Sequence, residues 1–404
     1  MSSAQRPILV QFGAGNIGRS LVGQLFSASG YEVVFIDAVP AIIEALNRER
    51  RYKVVTKGKT LPGQSPETLV EHVRGILATE TEAVAEAVAR ADVIGTAVGP
   101  AVLPRIMPAI AAGLRRRERP ISIILCENLR GAAGIARAHL AAALPADFDL
   151  AGRVGLVETS IGKMVPIMPT EARRRDPLEV WAEAYNTIIA DREGFIGEPP
   201  AVAGLVCKRN FAPWVDRKLF IHNLGHAAAA YHGFLRGHTY VWECARDAEV
   251  RRLVQGAMRE SAEALVRAHP GEFTRDDQAA HIEDLLERFE NEALGDTVFR
   301  VGRDLPRKLA PDDRCIGALR LCQREGVEPA AIVGVIAAAL HFKARDEHGE
   351  LFPADAAFHA RLASAGPETV LREVAGLVAA ADARIVREIL DQSRRMASAG
   401  NESA

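Results

Sequence analysis

A glycine-rich turn near the start of the chain constrains its fold more than any other feature. Residues 13–18 read Gly-Ala-Gly-Asn-Ile-Gly; they follow an apolar run at residues 8–12 and precede a helical pattern that continues to about Ala28. A second apolar run, residues 31–36, ends in Asp37. These spacings are typical of a βαβ unit that binds a dinucleotide. The alternative is a purely structural glycine turn.

The chemistry of this unit favours NAD. The first glycine allows a tight turn, the second lets a pyrophosphate approach the backbone, and the third lets the helix pack on the strand, with the helix N-terminus facing the phosphates. Asp37 is predicted to bind the adenosine ribose hydroxyls, and its charge would repel a 2′-phosphate. No arginine follows it in Ala38-Val39-Pro40. We therefore expect NAD rather than NADP.

Strands and helices continue to alternate after this unit. We predict strands at residues 91–98, 121–126, 154–158 and 178–189, all in one sheet, and a helix at residues 103–117. Ligands bind beyond the carboxyl ends of such strands, so Thr96, Gly99 and Asn128 are expected to line the cofactor cleft. A turn residue or a helix cap is the alternative for Asn128. The candidate cofactor residues are Phe12, Gly13, Gly15, Asn16, Ile17, Gly18, Asp37, Thr96 and Gly99.

The second half of the chain has a different character. The composition changes at residues 194–200, which read Gly-Phe-Ile-Gly-Glu-Pro-Pro, and helical periodicity dominates from Trp214 onward. A length of 404 residues suits two domains. The predicted architecture is α/β: a Rossmann-type, doubly wound sheet over residues 1–195, followed by a mainly α-helical domain over residues 196–404.

Composition argues against several other classes of protein. Apolar residues make up 48% of the chain and charged residues 25%, as in globular proteins, and the net charge of −2 gives no sign of a nucleic-acid partner. The five cysteines lack metal-ligand spacing, so we expect reduced thiols and no metal. No apolar run reaches the roughly 18 residues of a membrane span, and no secretion signal is visible. We expect a cytoplasmic protein without a membrane partner.

One helical stretch carries side chains that can move protons. Residues 217–231 contain no proline and one glycine, and their alanine-rich end favours a helix. On a regular helix Lys218, Asn223 and His226 fall within an arc of roughly 140°. Beside a nicotinamide ring these groups could oxidise an alcohol. The alternative is a helix with a solvated lysine, a surface asparagine and a buried histidine.

Several short blocks of sequence, spread along nearly the whole chain, are similar to blocks of one known protein family. They are residues 11–19 (Gln-Phe-Gly-Ala-Gly-Asn-Ile-Gly-Arg), 96–100 (Thr-Ala-Val-Gly-Pro), 126–128 (Cys-Glu-Asn), the stretch at 217–231, 288–291 (Arg-Phe-Glu-Asn), 300–303 (Arg-Val-Gly-Arg) and 307–309 (Arg-Lys-Leu). In these blocks and in their order the sequence resembles the polyol-specific long-chain dehydrogenases and reductases, the mannitol dehydrogenase family.

The resemblance implies a role for each catalytic candidate. Lys218 would be the general base, and Asn128 and Asn223 would stabilise the developing oxyanion. His226 would orient or bind the substrate. The implied reaction is metal-independent.

One segment departs from the family pattern. Residues 161–164 read Ile-Gly-Lys-Met, where the family usually has Val-Asp-Arg-Ile. The segment borders the substrate pocket in the family, so Lys163 is a candidate substrate residue. The departure leaves the identity of the sugar open.

A basic loop suggests that the substrate is phosphorylated. Arg300, Arg303, Arg307 and Lys308 lie within nine residues, around a glycine and a proline. The resemblance places Arg300 and Lys308 at the substrate pocket even for free polyols. The two additional arginines favour a phosphate, because arginine offers paired donors to phosphate oxygens. The alternative for each is a basic surface turn.

The sequence-based hypothesis is an NAD-dependent enzyme that interconverts mannitol 1-phosphate and fructose 6-phosphate. A relative that acts on an unphosphorylated polyol or a hexuronate is the alternative within the same class. A non-catalytic NAD-binding regulator is the alternative in a different class. The expected partner is a small sugar phosphate or polyol phosphate, and the expected state is a monomer or homodimer.

Overall fold

The computed structural model describes residues 6–60, 63, 65–378 and 380–402, and the chain divides into two compact units, Met1–Val215 and Asp216–Ala404. The change of composition at residues 194–200 therefore lies inside the first unit. Each unit is described separately below.

The first unit alternates strands and helices. Its strands are β1 (Ile8–Phe12), β2 (Glu32–Asp37), β3 (Arg51–Thr56), β4 (Glu67–Glu71), β5 (Val73–Leu77), β6 (Val93–Thr96), β7 (Ile121–Leu125), β8 (Val154–Ile161), β9 (Val180–Ala182), β10 (Ile188–Asp191) and β11 (Leu205–Lys208). Its helices are α1 (Gln24–Ala28), α2 (Pro40–Glu49), α3 (Thr81–Arg90), α4 (Leu103–Leu114), α5 (Ala132–Ala143), α6 (Leu150–Arg153) and α7 (Thr170–Arg175); α8 (Ala212–Arg217) extends across the boundary.

Eight strands form the main sheet, in the order β11-β10-β8-β7-β6-β1-β2-β5. Neighbours from β5 to β8 are parallel, β10 is antiparallel to β8, and β11 is parallel to β10. The parallel part has the strand order of a Rossmann fold. A separate three-stranded sheet has the order β4-β3-β9.

Both faces of the main sheet are covered by apolar side chains. Leu9 and Val33 belong to one buried cluster, whereas their neighbours Val10 and Val34 belong to another, which also includes residues of α3, α4 and α5. Successive side chains of a strand point to opposite faces, so a strand buried on both faces is a continuous apolar run. This is why β1, β2, β6 and β7 were visible in the sequence.

Two parts of the sheet prediction differ from the structure. Residues 178–189 do not form one strand of the main sheet: they contain β9, which pairs with β3 in the small sheet, and the start of β10, which pairs with β8. Strands β3, β4 and β5 were not predicted. Alternating exposure in β3 and β4 gives them no continuous apolar run, so only their pairing partners identify them.

The second unit is built from helices. They are α9 (Leu224–Leu235), α10 (Val241–Arg246), α11 (Ala248–Ala268), α12 (Arg275–Phe289), α13 (Val298–Gly302), α14 (Leu305–Lys308), α15 (Arg314–Arg324), α16 (Ala330–Ala339), α17 (Pro353–Ala365), α18 (Pro367–Glu373) and α19 (Ala383–Glu402). The 21-residue helix α11 packs against α9, α12, α15 and α16. At Gly225 of α9 a Cβ atom would lie 2.6 Å from the sulfur of Met258, which shows how closely α9 and α11 approach.

The described residues contain neither a membrane-spanning helix nor a cluster of metal ligands. Among the helices of the described chain, none is long and apolar enough to cross a membrane. Within the described residues, no three His, Cys, Asp or Glu side chains cluster as a metal site requires.

Candidate active site

The glycine turn leads from β1 into the next helix, and its glycines have different environments. Gly13 has a φ of +91°, and a Cβ atom there would lie 2.5 Å from the carbonyl oxygen of Ala97. A Cβ atom on Gly18 would collide with the carbonyl oxygen of Gly13, whereas Gly15 has no such neighbour within 4 Å. The fold itself therefore requires Gly13 and Gly18, and Gly15 leaves the backbone open where a phosphate can approach.

Asp37 ends β2 beside this turn. Its Oδ2 accepts the backbone N–H of Ala14 at 2.7 Å, and its Oδ1 accepts that of Val39 at 3.0 Å. A carboxylate has about four acceptor positions, so capacity remains for the two hydroxyls of a ribose. The half-buried carboxylate fits the predicted role in NAD binding, because a 2′-phosphate here would face a negative charge.

The ends of β6 and β7 are joined by a residue that the sequence did not single out. The carboxylate of Glu127 accepts the hydroxyl of Thr96 at 2.7 Å and the N–H of Val98 at 3.1 Å. Glu127 is buried, and desolvation raises the pKa of its carboxyl, although both hydrogen bonds act to lower it. Gly99, with a φ of +88°, and the exposed Asn128 follow these strand ends. The sequence could have pointed to Glu127, because this acidic residue directly follows an apolar predicted strand.

Lys163 is held by residues of the first unit. Its buried Nζ donates a hydrogen bond to Oδ1 of Asn186. The N–H of Met164 donates to the buried carboxylate of Glu183. The predicted role of Lys163 in substrate binding stays a prediction.

In the second unit the catalytic stretch is not a regular α-helix. A π-helical turn, Lys218–Asn223, stands between α8 and α9. In a regular α-helix five residues correspond to about 140° of rotation, whereas a π-helix bonds residue i to residue i+5. Lys218 and Asn223 therefore lie one turn apart on the same side of the helix, and His226 follows in the first turn of α9. Single π turns occur frequently at functional sites.

The surroundings of Lys218 change its chemistry. Burial, followed by the positive charge of Arg314, lowers the pKa of the Lys218 ammonium to about 8. An exposed lysine is almost fully protonated near neutral pH, but an amine with this pKa has a substantial neutral fraction. Lys218 can therefore take a proton from an alcohol.

His226 is fixed in a defined orientation. Its ring stacks on Phe289 with ring centres 4.9 Å apart and an interplanar angle of 10°. Its Nε2 lies 3.7 Å from Oδ2 of the buried Asp296. Burial and then the charge of Arg300 lower the pKa of His226 to about 3. The imidazole is therefore neutral near pH 7 and suited to orient a substrate hydroxyl.

The structure separates the four basic residues of the loop into two pairs. Arg307 is exposed and forms ion pairs with Asp304 at 2.6 Å and Asp313 at 3.5 Å. The exposed guanidinium of Arg303 lies 5.3 and 5.6 Å from the centres of two phenylalanine rings. The positive charge of Arg307 is thus already balanced by carboxylates.

The other two basic residues are close to the catalytic groups. Arg300 forms an ion pair with Asp296, the same carboxylate that faces His226. Lys308 is buried and donates a hydrogen bond to the carbonyl oxygen of Arg303. Burial, followed by the charge of Arg314, lowers the pKa of the Lys308 ammonium to about 7.

Arg314 was missed by the sequence analysis. Its side chain is 11% exposed, and its Nε pairs with Oδ1 of Asp313 at 2.7 Å. Its charge contributes to the lowered pKa values of Lys218, His226 and Lys308. Nothing in the surrounding sequence distinguishes it from a surface arginine at a helix start.

The first unit contains a Rossmann-type glycine turn, and the second contains a lysine of lowered pKa with an amide and an imidazole on the same helical stretch. These features are typical of a nicotinamide-dependent oxidoreductase. Residues 7–204 match the family model described as the mannitol dehydrogenase Rossmann domain, and residues 210–394 match the mannitol dehydrogenase C-terminal domain. The chain belongs to the mannitol dehydrogenase family. The predicted fold is confirmed with it, and the Rossmann domain agrees with the predicted cofactor, NAD.

Solved structures show the same fold over the whole chain. A D-sorbitol dehydrogenase in substrate-free form has a TM-score of 0.81 at 17% identity, and the match covers 98% of this chain and 94% of that one. Mannitol 2-dehydrogenase of Pseudomonas fluorescens, in a ternary complex with NAD and D-mannitol, has a TM-score of 0.75 at 17% identity and covers 98% and 93%. At this identity the likeness describes the fold.

Proposed function

We propose that the chain is an NAD-dependent polyol dehydrogenase whose substrate pair is mannitol 1-phosphate and fructose 6-phosphate. The observation that carries the proposal is Lys218, a half-buried lysine with a pKa lowered to about 8 on a π turn shared with Asn223. Oxidation of a secondary alcohol needs a base for the hydroxyl proton, and Lys218 has the protonation behaviour of such a base. NAD, when bound, supplies the acceptor for the hydride.

Each catalytic side chain has one task in this mechanism. Lys218 takes the hydroxyl proton during oxidation and, as an ammonium, returns a proton to the carbonyl oxygen during reduction. The amide of Asn223 donates a hydrogen bond to the reacting oxygen as negative charge develops on it, and the same role for Asn128 stays a prediction from the sequence. Neutral His226, held by Phe289, orients the substrate through a hydroxyl group.

Electrostatics of the second unit supports an anionic substrate. Lys218 and Lys308 have lowered pKa values because each is buried and close to the charge of Arg314. Groups that repel one another in this way are stabilised when an anion comes among them. A phosphate ester supplies that anion, which an uncharged ketose does not.

A second candidate function is oxidation of an unphosphorylated polyol. Two of the structures that match this fold, both at 17% identity, are those of a D-sorbitol dehydrogenase and of a mannitol 2-dehydrogenase complex with D-mannitol. Arg307 was one of the two arginines that suggested a phosphate in the sequence, but its charge is balanced by ion pairs with two carboxylates. A hexuronate is a third possibility, since its carboxylate is also an anion.

Kinetics on matched ketoses tests these alternatives. With NADH as reductant, kcat/KM is measured for fructose 6-phosphate, fructose and a keto-uronate. One charge-assisted hydrogen bond contributes about 1.5–3 kcal/mol, so the phosphate ester should exceed fructose by roughly 10- to 100-fold or more. Equal values for the two ketoses would favour the free polyol. Turnover of none of the three, with NADH still bound, would favour a non-catalytic NAD-binding regulator.

A further inference from the structure

Arg314 occupies a fixed position beside the catalytic turn. It is the first residue of α15, and α15 packs directly on the π turn: a Cβ atom at Gly317 would lie 2.5 Å from the ring of Phe220. Gly317 is one helical turn after Arg314, so this close approach holds the start of α15 against the Lys218–Asn223 turn. The position of Arg314 is therefore set by the packing of two elements.

The guanidinium of Arg314 is only partly used inside the protein. One oxygen of Asp313, Oδ1, accepts the backbone N–H of Arg314 at 2.6 Å and its Nε–H at 2.7 Å. The other oxygen of Asp313 lies 3.5 Å from Arg307. In the part of the chain that the structure describes, the two terminal nitrogens of Arg314 make no hydrogen bond and no ion pair. They carry four N–H donors in a planar fork.

The groups around Arg314 include candidate catalytic side chains, and the carboxylates of Asp304 and Asp355 lie near Lys308. Arg314 lies close enough to Lys218, Lys308 and His226 to lower the pKa of each. Its one carboxylate partner, Asp313, is shared with Arg307. Arg314 and Lys308 therefore place two cationic side chains close together in a largely buried region, and within the described residues the terminal nitrogens of Arg314 are paired with no carboxylate.

We propose that Arg314 binds the anionic group of the substrate directly, through the N–H groups of its terminal nitrogens, with the Lys308 ammonium as the second donor. The fork of a guanidinium matches two oxygens of a phosphate or a carboxylate, and a lysine adds a point charge. This inference rests on the proposed function, since it assigns the charged end of that substrate. From the sequence, binding of the substrate phosphate was assigned to Arg303 and Arg307. It is assigned instead to Arg314, which lies outside that basic segment.

The test compares Arg314→Gln, Arg314→Lys and wild type on three ketoses: fructose 6-phosphate, a keto-uronate and fructose. Loss of one charge-assisted pair should raise the KM for the preferred anionic ketose by roughly 10- to 100-fold in Arg314→Gln, with activity on fructose changed by less than about 3-fold. The KM of Arg314→Lys for the same ketose should lie between those of the wild type and Arg314→Gln. A loss on fructose 6-phosphate identifies a phosphate ligand, and a loss on the keto-uronate identifies a carboxylate. Arg324→Gln, an exposed arginine at the other end of α15, is the matched control.

A binding measurement separates failure of this inference from failure of the proposed function. Inorganic phosphate, titrated at constant ionic strength, should raise the thermal midpoint of the wild-type protein and of Arg324→Gln, and this rise should be lost in Arg314→Gln. That result supports the anion site even if none of the ketoses is reduced.

Two results would overturn the role of Arg314. One is an equal loss of kcat/KM on all three ketoses, which would mean that Arg314 supports the structure of the catalytic turn and does not bind the anionic group. The other is an unchanged response to phosphate in both Arg314 variants. If Arg314→Gln does not fold, Arg314→Lys decides by the same two measurements, since it keeps the charge and removes the fork.

Discussion

Lys218 shows how strongly one side chain depends on its neighbours. Nothing in its own sequence environment lowers its pKa; burial and the charge of Arg314, 96 positions further along the chain, do so. The same two causes act on Lys308. An amine that titrates near pH 8 is therefore produced by packing, and its role as the base can be tested by removing it.

We predict that Lys218→Ala lowers turnover in both directions by about 10²–10⁴, because that is the typical cost of losing a positioned base. NADH should still bind, since its predicted site lies in the first unit. Steady-state rates and a fluorescence titration with NADH measure both effects, and Lys343→Ala, an exposed lysine of the second unit, is the control. A Lys218→Ala enzyme that kept more than a tenth of the wild-type rate would point to His226 as the base.

The pH dependence of the two directions should be opposite. Oxidation needs the neutral amine, so its kcat/KM should rise with pH and level off above a pKa of about 8. Reduction needs the ammonium, so its kcat/KM should fall as the pH rises through the same range. Replacing Arg314 by Gln removes one cause of the lowered pKa, so both midpoints should move upward. Profiles without a change near pH 8 would exclude Lys218 as the titrating group.

Asp37 gives a third prediction at the scale of one residue. Asp37→Ser should weaken NADH binding, because it removes a hydrogen-bond acceptor. It should also reduce the preference for NADH over NADPH, because it removes the charge that repels a 2′-phosphate. A loss of roughly 10- to 100-fold in NADH affinity corresponds to about 1.5–3 kcal/mol. Dissociation constants for both cofactors measure the change, with Glu44→Ser on the exposed face of α2 as control. A wild-type preference for NADPH would show that this role of Asp37 is wrong.

At the scale of elements, most strands that are buried on both faces were predictable; β5 is the exception, because Arg74 and Gly75 interrupt its apolar run. The apolar runs of β1, β2, β6, β7 and β8 stand out because both faces are covered. Residues 178–189 read as one strand because they are largely apolar, but β9 and β10 pair in different sheets. Which partner a short strand takes is decided by residues far away in the sequence, so a local pattern cannot distinguish the two cases.

The glycine turn gives a prediction that contrasts two similar substitutions. Gly15→Ala should leave the free energy of unfolding within about 0.5 kcal/mol of wild type, since no atom lies within 4 Å of the added methyl group. It should weaken NADH binding, because the methyl group occupies the space left for the pyrophosphate. Gly18→Ala should destabilise the fold by about 1–3 kcal/mol, because its methyl group collides with the carbonyl oxygen of Gly13.

Urea unfolding and NADH titration of both glycine variants provide the measurement. Each variant is the control for the other, since both add one methyl group to the same turn. If Gly15→Ala bound NADH as tightly as wild type, or if Gly18→Ala were as stable as wild type, the different roles of the two glycines would be incorrect.

At the scale of the whole molecule, the chain consists of two compact units, and the predicted cofactor residues all lie in the first. NADH should therefore slow amide hydrogen exchange at residues 13–18, 37–39 and 96–99. A ligand at 100 times its dissociation constant adds about 2.7 kcal/mol to the stability of the state that binds it. Hydrogen exchange followed by mass spectrometry measures this, and Gly15→Ala at the same NADH concentration should show less protection. Protection that did not include these three segments would contradict the assigned cofactor site.

The sequence alone determined the features that depend on neighbouring residues. A βαβ unit with its glycine turn and terminal acid is a local pattern, and so is a helix that carries Lys218, Asn223 and His226 within nine residues. The tertiary structure decided the features that depend on the packing of the whole chain. These are the π turn that aligns Lys218 with Asn223, the carboxylates that neutralise Arg307, and the position of Arg314 near Lys218. Burial and charge act through space at distances of a few ångströms, and only folding brings residues so far apart in the chain to those distances.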